Sequence, residues 1–156
     1  MSRKYLFTLA PLLAVAVAVF GYQKGAPKSQ AEDKNVAAVR AVIEEQAAAW
    51  NRGDVAGYME GYAKEDSTTF VSGDAVTRGW QTVLDRYKAH YDTRAKMGTL
   101  AFTELEFKPL SEFYIMATGR WQLTREADTP HGRFTLIFRR TNAGWRIVHD
   151  HTSSAS

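Results

Sequence analysis

Near the end of the chain stand two histidines flanking an aspartate, His149-Asp150-His151. These residue types can bind a metal, move a proton or hold an organic ligand. In an extended strand the side chains alternate between faces, so His149 and His151 share one face and can share a ligand, while Asp150 points to the other. A metal centre needs at least a third ligand, and nothing in the spacing of His90 or His131 brings either one there. No metal is therefore expected. The pair is left with an organic ligand, or with hydrogen bonds inside the sheet or to a second copy of the chain. His151 and Asp150 are also the two weak catalytic candidates, each as a general base.

Arg120 is the other chemically distinctive residue. It lies mid-strand with Tyr114, Met116, Thr118 and Gln122 on its own face; Ile115, Ala117, Trp121 and Leu123 take the opposite one. Such an arginine either faces water or lines a cavity, where its fork can clamp a carboxylate. The aromatic residues Trp50, Tyr58, Tyr62, Phe70, Trp80, Tyr87, Tyr91 and Trp121 fall on helical or strand spacings and so belong first to the core. Together their rings, hydroxyls and indoles suit the wall of an apolar pocket, with Trp50 and Tyr87 as ligand-binding candidates.

The elements that must position these residues can be read from their periods. Over residues 35–51, Val36, Val39, Ile43, Ala47 and Trp50 recur every three or four positions, which predicts a helix with one apolar face. Asn51-Arg52-Gly53-Asp54 stops that helix at Gly53 and caps the next at Asp54. A second helix is expected over 55–63, a short strand over 67–71, a lead-in over 76–79, and a third helix with the stripe Trp80, Val83, Leu84, Tyr87 and Tyr91. A long strand opens after Gly98. Its apolar residues change phase between Phe102 and Leu105, which predicts a β-bulge near Thr103-Glu104. Residues 113–125 form the next strand. The closing hairpin pairs the run Phe134, Leu136 and Phe138 with Trp145, Ile147, His149 and His151 across an Asn142-Ala143-Gly144 turn. A bulge in the last strand would reverse its phase and turn Asp150 and Thr152 inward instead.

The totals bound the remaining possibilities. A chain of 156 residues with 45% hydrophobic content is one domain with a core of its own, and it has no cysteine for disulfides or thiol chemistry. Residues 1–21 combine Arg3 and Lys4 with an apolar run from Tyr5 to Phe20, the pattern of a secretory signal. The alternative is an uncleaved anchor, since about 17 apolar residues is the lower limit for spanning a bilayer. Either reading puts the domain outside the cytoplasm, periplasmic or extracellular, and a membrane enters only with the second. Residues 22–34 are polar and without period, as in a linker, which leaves 35–154 for the domain. Without Arg3 and Lys4 the 20 basic residues become 18 against 17 acidic ones, and no basic stripe supports nucleic-acid binding.

The segment Gly-x-Phe-Thr-x-x-Phe-Arg-Arg from Gly132, followed by Gly-Trp-Arg-Ile-Val-His-Asp-His-Thr-Ser from Gly144, resembles the closing hairpin of the SnoaL-like branch of the nuclear transport factor 2-like superfamily. The Asn-x-Gly-Asp turn between two helices is a second point of likeness. The resemblance implies an α+β fold, a cone of three N-terminal helices packed on a curved antiparallel β-sheet. It also implies a homodimer and a small-molecule ligand in the cone, an anion being one option, with no cofactor. The similar association domain of calcium/calmodulin-dependent protein kinase II has a pocket arginine at the position of Arg120. That domain's second pocket arginine falls at Leu136, and an arginine after its last histidine falls at Thr152. Ketosteroid isomerase shares the fold and needs a carboxylate base, a tyrosine and a protonated aspartate. Its tyrosine falls at about Gln46, its base near Phe70-Val71 and its protonated aspartate near Leu136, so those three roles are unfilled. A fold of this kind hosts carriers, enzymes and assembly modules alike. A small-molecule-binding domain is the leading expectation, a cofactor-independent enzyme on a hydrophobic substrate the next, and an oligomerisation module the third.

Overall fold

The computed structural model describes residues 30–155; the leader over 1–21 and the first part of the linker lie outside the described residues. Helix α1 (Gln30–Asn51) begins five residues before the expected start, inside the stretch read as linker. Gln, Ala, Glu and Lys are good helix formers even where no apolar period announces them. Its inward face is Val39, Ile43, Gln46 and Trp50, each at most 2% exposed. Gln46 thus occupies a core position that its polarity concealed.

The Asn-x-Gly-Asp turn forms as expected. Gly53 takes φ +87°, which favours glycine, and the Asp54 carboxylate accepts from the Gly57 N–H at 2.7 Å to cap α2 (Val55–Met59). Helix α2 stops four residues before the expected end at residue 63, because Gly61 to Ala63 leave it to run beside the last strand. There Ile147 donates its N–H to Gly61, and Ala63 donates to Ile147, both at 2.9 Å.

Strand β1 (Thr69–Ser72) forms where a short strand was expected, and β2 (Ala75–Arg78) pairs with it as a hairpin where only a lead-in to a helix was expected. Helix α3 (Trp80–His90) buries Val83 and Leu84, and a further short helix, α4 (Arg94–Met97), precedes the main sheet. Four long strands follow: β3 (Thr99–Pro109), β4 (Tyr114–Thr124), β5 (His131–Thr141) and β6 (Gly144–Thr152). The six strands lie in the order β2-β1-β6-β5-β4-β3. Every pair is antiparallel except β1 with β6, which run parallel. The expectation of a wholly antiparallel sheet is corrected at that pair; no hairpin joins the two strands, so nothing dictates opposite directions.

Two bulges decide which side chains face the helices. In β3 the register shifts between Thr103 and Glu106, and Glu104 has φ +54°, the one non-glycine residue with positive φ among the described residues. The bulge lets Phe102, Leu105 and Phe107 all pack on the core, as the phase change in the sequence requires. In β6, Ile147 pairs with Phe138 but His149 pairs with Ile137, so Val148 is the extra residue. Trp145 and Ile147 therefore point inward before the bulge, and Asp150 points inward after it; all three are buried.

Candidate functional site

Between the helices and the sheet lies a partly open cavity of about 90 Å³. The helices and the segments that follow α2 and α3 contribute Gln46, Trp50, Tyr58, Tyr62, Tyr87 and Tyr91. The sheet contributes Leu100, Phe102, Trp121, Leu123, Phe134 and Leu136, with Asp150 and Thr152 from β6. The rings interlock: Trp50 meets Tyr91 with centroids 4.6 Å apart and Tyr58 at 5.2 Å, Tyr58 meets Tyr87 at 5.5 Å, and Phe102 meets Phe134 at 5.4 Å. Edge and tilted contacts of this kind fix the rings as a wall. Both wall indoles have their N–H groups occupied: Trp50 Nε1 donates to the Met97 carbonyl and Trp121 Nε1 to that of Ser153, each at 3.0 Å. The Gln46 amide donates to the Tyr58 carbonyl at 3.0 Å and ties α1 to α2.

Asp150 is 4% exposed. Its Oδ2 accepts from the Tyr62 hydroxyl at 2.7 Å and its Oδ1 from the Thr152 hydroxyl at 2.8 Å. Burial pushes its carboxyl up to about 6; the two hydroxyl hydrogen bonds and the nearby His151 hold it down against that rise. Tyr58, Tyr62 and Tyr87 are pushed well above the ordinary tyrosine range, first by burial and further by neighbouring Asp150. Burial also raises Tyr91, opposed by the charges of Arg125 and Arg86. The tyrosines are therefore neutral hydroxyl donors, and Asp150 is the group in the cavity that changes charge near neutral pH.

The docking of Gly61 to Ala63 against Ile147 is what brings Tyr62 to Asp150, 88 residues away in sequence. Removing that hydroxyl has a definite consequence. Because the Tyr62 hydrogen bond favours the ionised carboxylate, Tyr62→Phe should move the Asp150 titration upward from about 6. Carboxyl ¹³C shifts followed against pH would measure this; a midpoint that stays or falls would contradict the assignment.

The candidates read from the sequence separate into two groups. Trp50, Tyr87 and Asp150 line the cavity. Arg120 does not: on β4 it stands on the opposite face from Ala117 and Leu123, with Thr103 and Arg133 as its cross-strand neighbours. His149 and His151 do share one face, but it is the outer one, where they pair with Ile137 and Thr135. His149 is half-buried and His151 exposed. The one-residue slip at Val148 accounts for this inversion, since it exchanges the two faces beyond it. Among the described residues no cluster of three His, Asp or Glu side chains could hold a metal ion. Of the aromatic set, Tyr58, Tyr62, Tyr91 and Trp121 also line the cavity while Phe70 and Trp80 do not; Thr152 enters it through the bulge, and Gln46 belongs to the site without having been expected there. No local signal pairs the Tyr62 hydroxyl with Asp150, because the two are 88 residues apart in sequence.

The sequence profile of the SnoaL-like domain matches residues 39–156. No curated protein matches the chain. A nuclear transport factor 2-like protein of unknown function from Shewanella oneidensis is 37% identical, with 76% of this chain and 98% of that one covered and a TM-score of 0.73. A ketosteroid isomerase-like protein from Erwinia carotovora is 18% identical, with 80% and 98% covered and a TM-score of 0.64. For an NTF2-like protein of unknown function from Pseudomonas putida the figures are 19%, 81% and 89%, and 0.65. The last two likenesses concern the fold alone.

Proposed function

The chain belongs to the SnoaL-like domain family, and on that premise we propose that it binds a small organic molecule in the cavity between its helices and its sheet. One observation carries the reading: the Asp150 carboxyl is held almost fully buried at a partly open, ring-lined hollow instead of at the surface. A carboxyl in that setting costs stability, and an apolar side chain would fill the same space without that cost. No Lys, Arg or His lines the hollow among the described residues, which removes the support for an anionic ligand that Arg120 was expected to give. A titration of small neutral, cationic and anionic organic molecules, followed by the NMR signals of the Trp50 indole and the four cavity tyrosines, tests the reading. Saturable shifts with at least one class are expected; none with any class would overturn it.

A second reading is favoured by the same carboxyl. With its pKa near 6, Asp150 is poised to take a proton from a bound carbon acid or hydroxyl and return it. It stands directly across the ladder from Leu136, the position to which the ketosteroid isomerase pattern assigns a protonated aspartate. Tyr62 would then orient the carboxyl. Exchange of substrate protons for deuterium, present in the wild type and lost in Asp150→Asn, would distinguish an enzyme from a carrier.

We further propose a homodimer through the outer face of the sheet. Support comes from the mixture of Thr118, Thr135, Ile137 and His149 there, all only half-exposed in the single chain. Sedimentation equilibrium giving one chain mass would exclude it.

A further inference from the structure

Within the binding reading, on which this inference rests, the charge and shape of the cavity select a ligand class. Asp150 has two hydroxyl donors but no cationic partner, and no basic side chain lines the cavity among the described residues. Around the carboxyl stand the rings of Trp50, Tyr58, Tyr62, Tyr87 and Tyr91. Aromatic faces carry negative potential and attract cations, most strongly where water is excluded. An anion would meet both the carboxylate and those faces, and a neutral molecule would leave the buried charge uncompensated. Size narrows the class further. An apolar cavity of about 150 Å³ admits benzene; in proportion, about 90 Å³ holds about four non-hydrogen atoms, the scale of a methylated ammonium group. We infer that the cavity takes a small organic cation, an amine or quaternary ammonium head, with Asp150 as its counter-ion and the ring wall as its cage. Any longer part of such a molecule leaves through the mouth, beside the half-exposed Tyr91, Phe102 and Trp121.

The test compares choline with dimethylbutanol, its uncharged analogue in which carbon replaces the quaternary nitrogen. The two have the same shape, so the difference in affinity reads charge alone. Calorimetry or NMR titration at pH 7 should show choline binding about tenfold more tightly or better. Equal affinity for the two would overturn the cation inference while leaving the binding reading in place. Binding of neither, and of no other molecule in the neutral, cationic and anionic panel, would overturn both.

Choline has no titrating group of its own charge, so the pH dependence of its binding reports on the protein. The groups facing Asp150 are Tyr62 and Tyr58 beside and within α2, Tyr87 from α3, and Thr152 on its own strand, with His151 adjacent but on the outer face. Across the ladders lie the apolar Phe70 and Leu136. The tyrosines stay neutral over the range. Lowering the pH from 7 to 5 should therefore weaken choline about tenfold as Asp150 takes up its proton, with dimethylbutanol unaffected. A choline affinity that rises or stays constant over this range would count against the assignment. Asp150→Asn should erase the preference for choline over the alcohol, and Tyr91→Leu, which removes one cage wall at the rim, should reduce it several-fold. Retention of the full preference in both variants would overturn the proposal.

Discussion

Asp150→Asn is expected to stabilise the protein at pH 7, by about 2–3 kcal/mol. The wild-type carboxyl titrates at about 6 in the folded state against 3.8 for the free group, a difference of about two pKa units at 1.36 kcal/mol each. The sign follows from which state holds the proton. Below pH 3.8 folded and unfolded chains both carry it, and the residue imposes no charge penalty. As the pH rises from about 4 to 6 the unfolded chain gives up its proton first, so the folded state loses stability across that window. Above about 6 the loss is complete. Asparagine has no charge to bury and can still accept from Tyr62 or Thr152, so most of the difference is recovered, less about 1 kcal/mol for an imperfect hydrogen bond. Urea unfolding of both proteins at pH 4 and pH 7 gives the answer: near-equal stability at the lower pH and a more stable variant at the higher. A variant that is less stable at pH 7 would mean that the carboxylate is a structural asset and not a retained functional group. A stabilising substitution at a site of function is the ordinary form of the trade between activity and stability.

The opposite effect is expected from Trp50→Ala, a loss of about 3–5 kcal/mol, the usual range for truncating a buried tryptophan. Trp50 is 2% exposed and sits where three elements meet. Its ring packs edge-on against Tyr58, Tyr87 and Tyr91, and its Nε1 reaches from the end of α1 to the Met97 carbonyl before β3. Alanine leaves a void among rings that hold one another in place and strands a carbonyl without its donor. The cavity enlarges into that void, so any ligand should lose affinity together with the fold's stability. Thermal or denaturant unfolding measures the first effect; a loss under about 1 kcal/mol would show that the tyrosine wall stands without Trp50.

Much of this architecture is legible from local pattern. The three-and-four spacing in α1 and α3, the Gly53-Asp54 stop and restart, and the alternation in the closing hairpin each depend only on residues a turn or a strand apart. The bulge in β3 was legible for a similar reason: Phe102 and Leu105 cannot both face the core unless one residue is skipped. The bulge in β6 was open to doubt, because Val148 is apolar and either phase buries something plausible. The parallel pairing of β1 with β6 left no local trace at all.

By itself, then, the sequence determined the class of fold and most of its elements, β2 and α4 excepted, since hydrophobic period, caps and turn residues act within a few positions of one another. Only the tertiary structure decided the site. The ladder between β5 and β6 placed one extra residue at Val148, which took His149 and His151 to the outer face and turned Asp150 inward. The run of Gly61 to Ala63 along Ile147 then set the Tyr62 hydroxyl on that carboxyl. Both depend on how distant strands lie against each other, and a side chain's face in a sheet reverses with a single step of register.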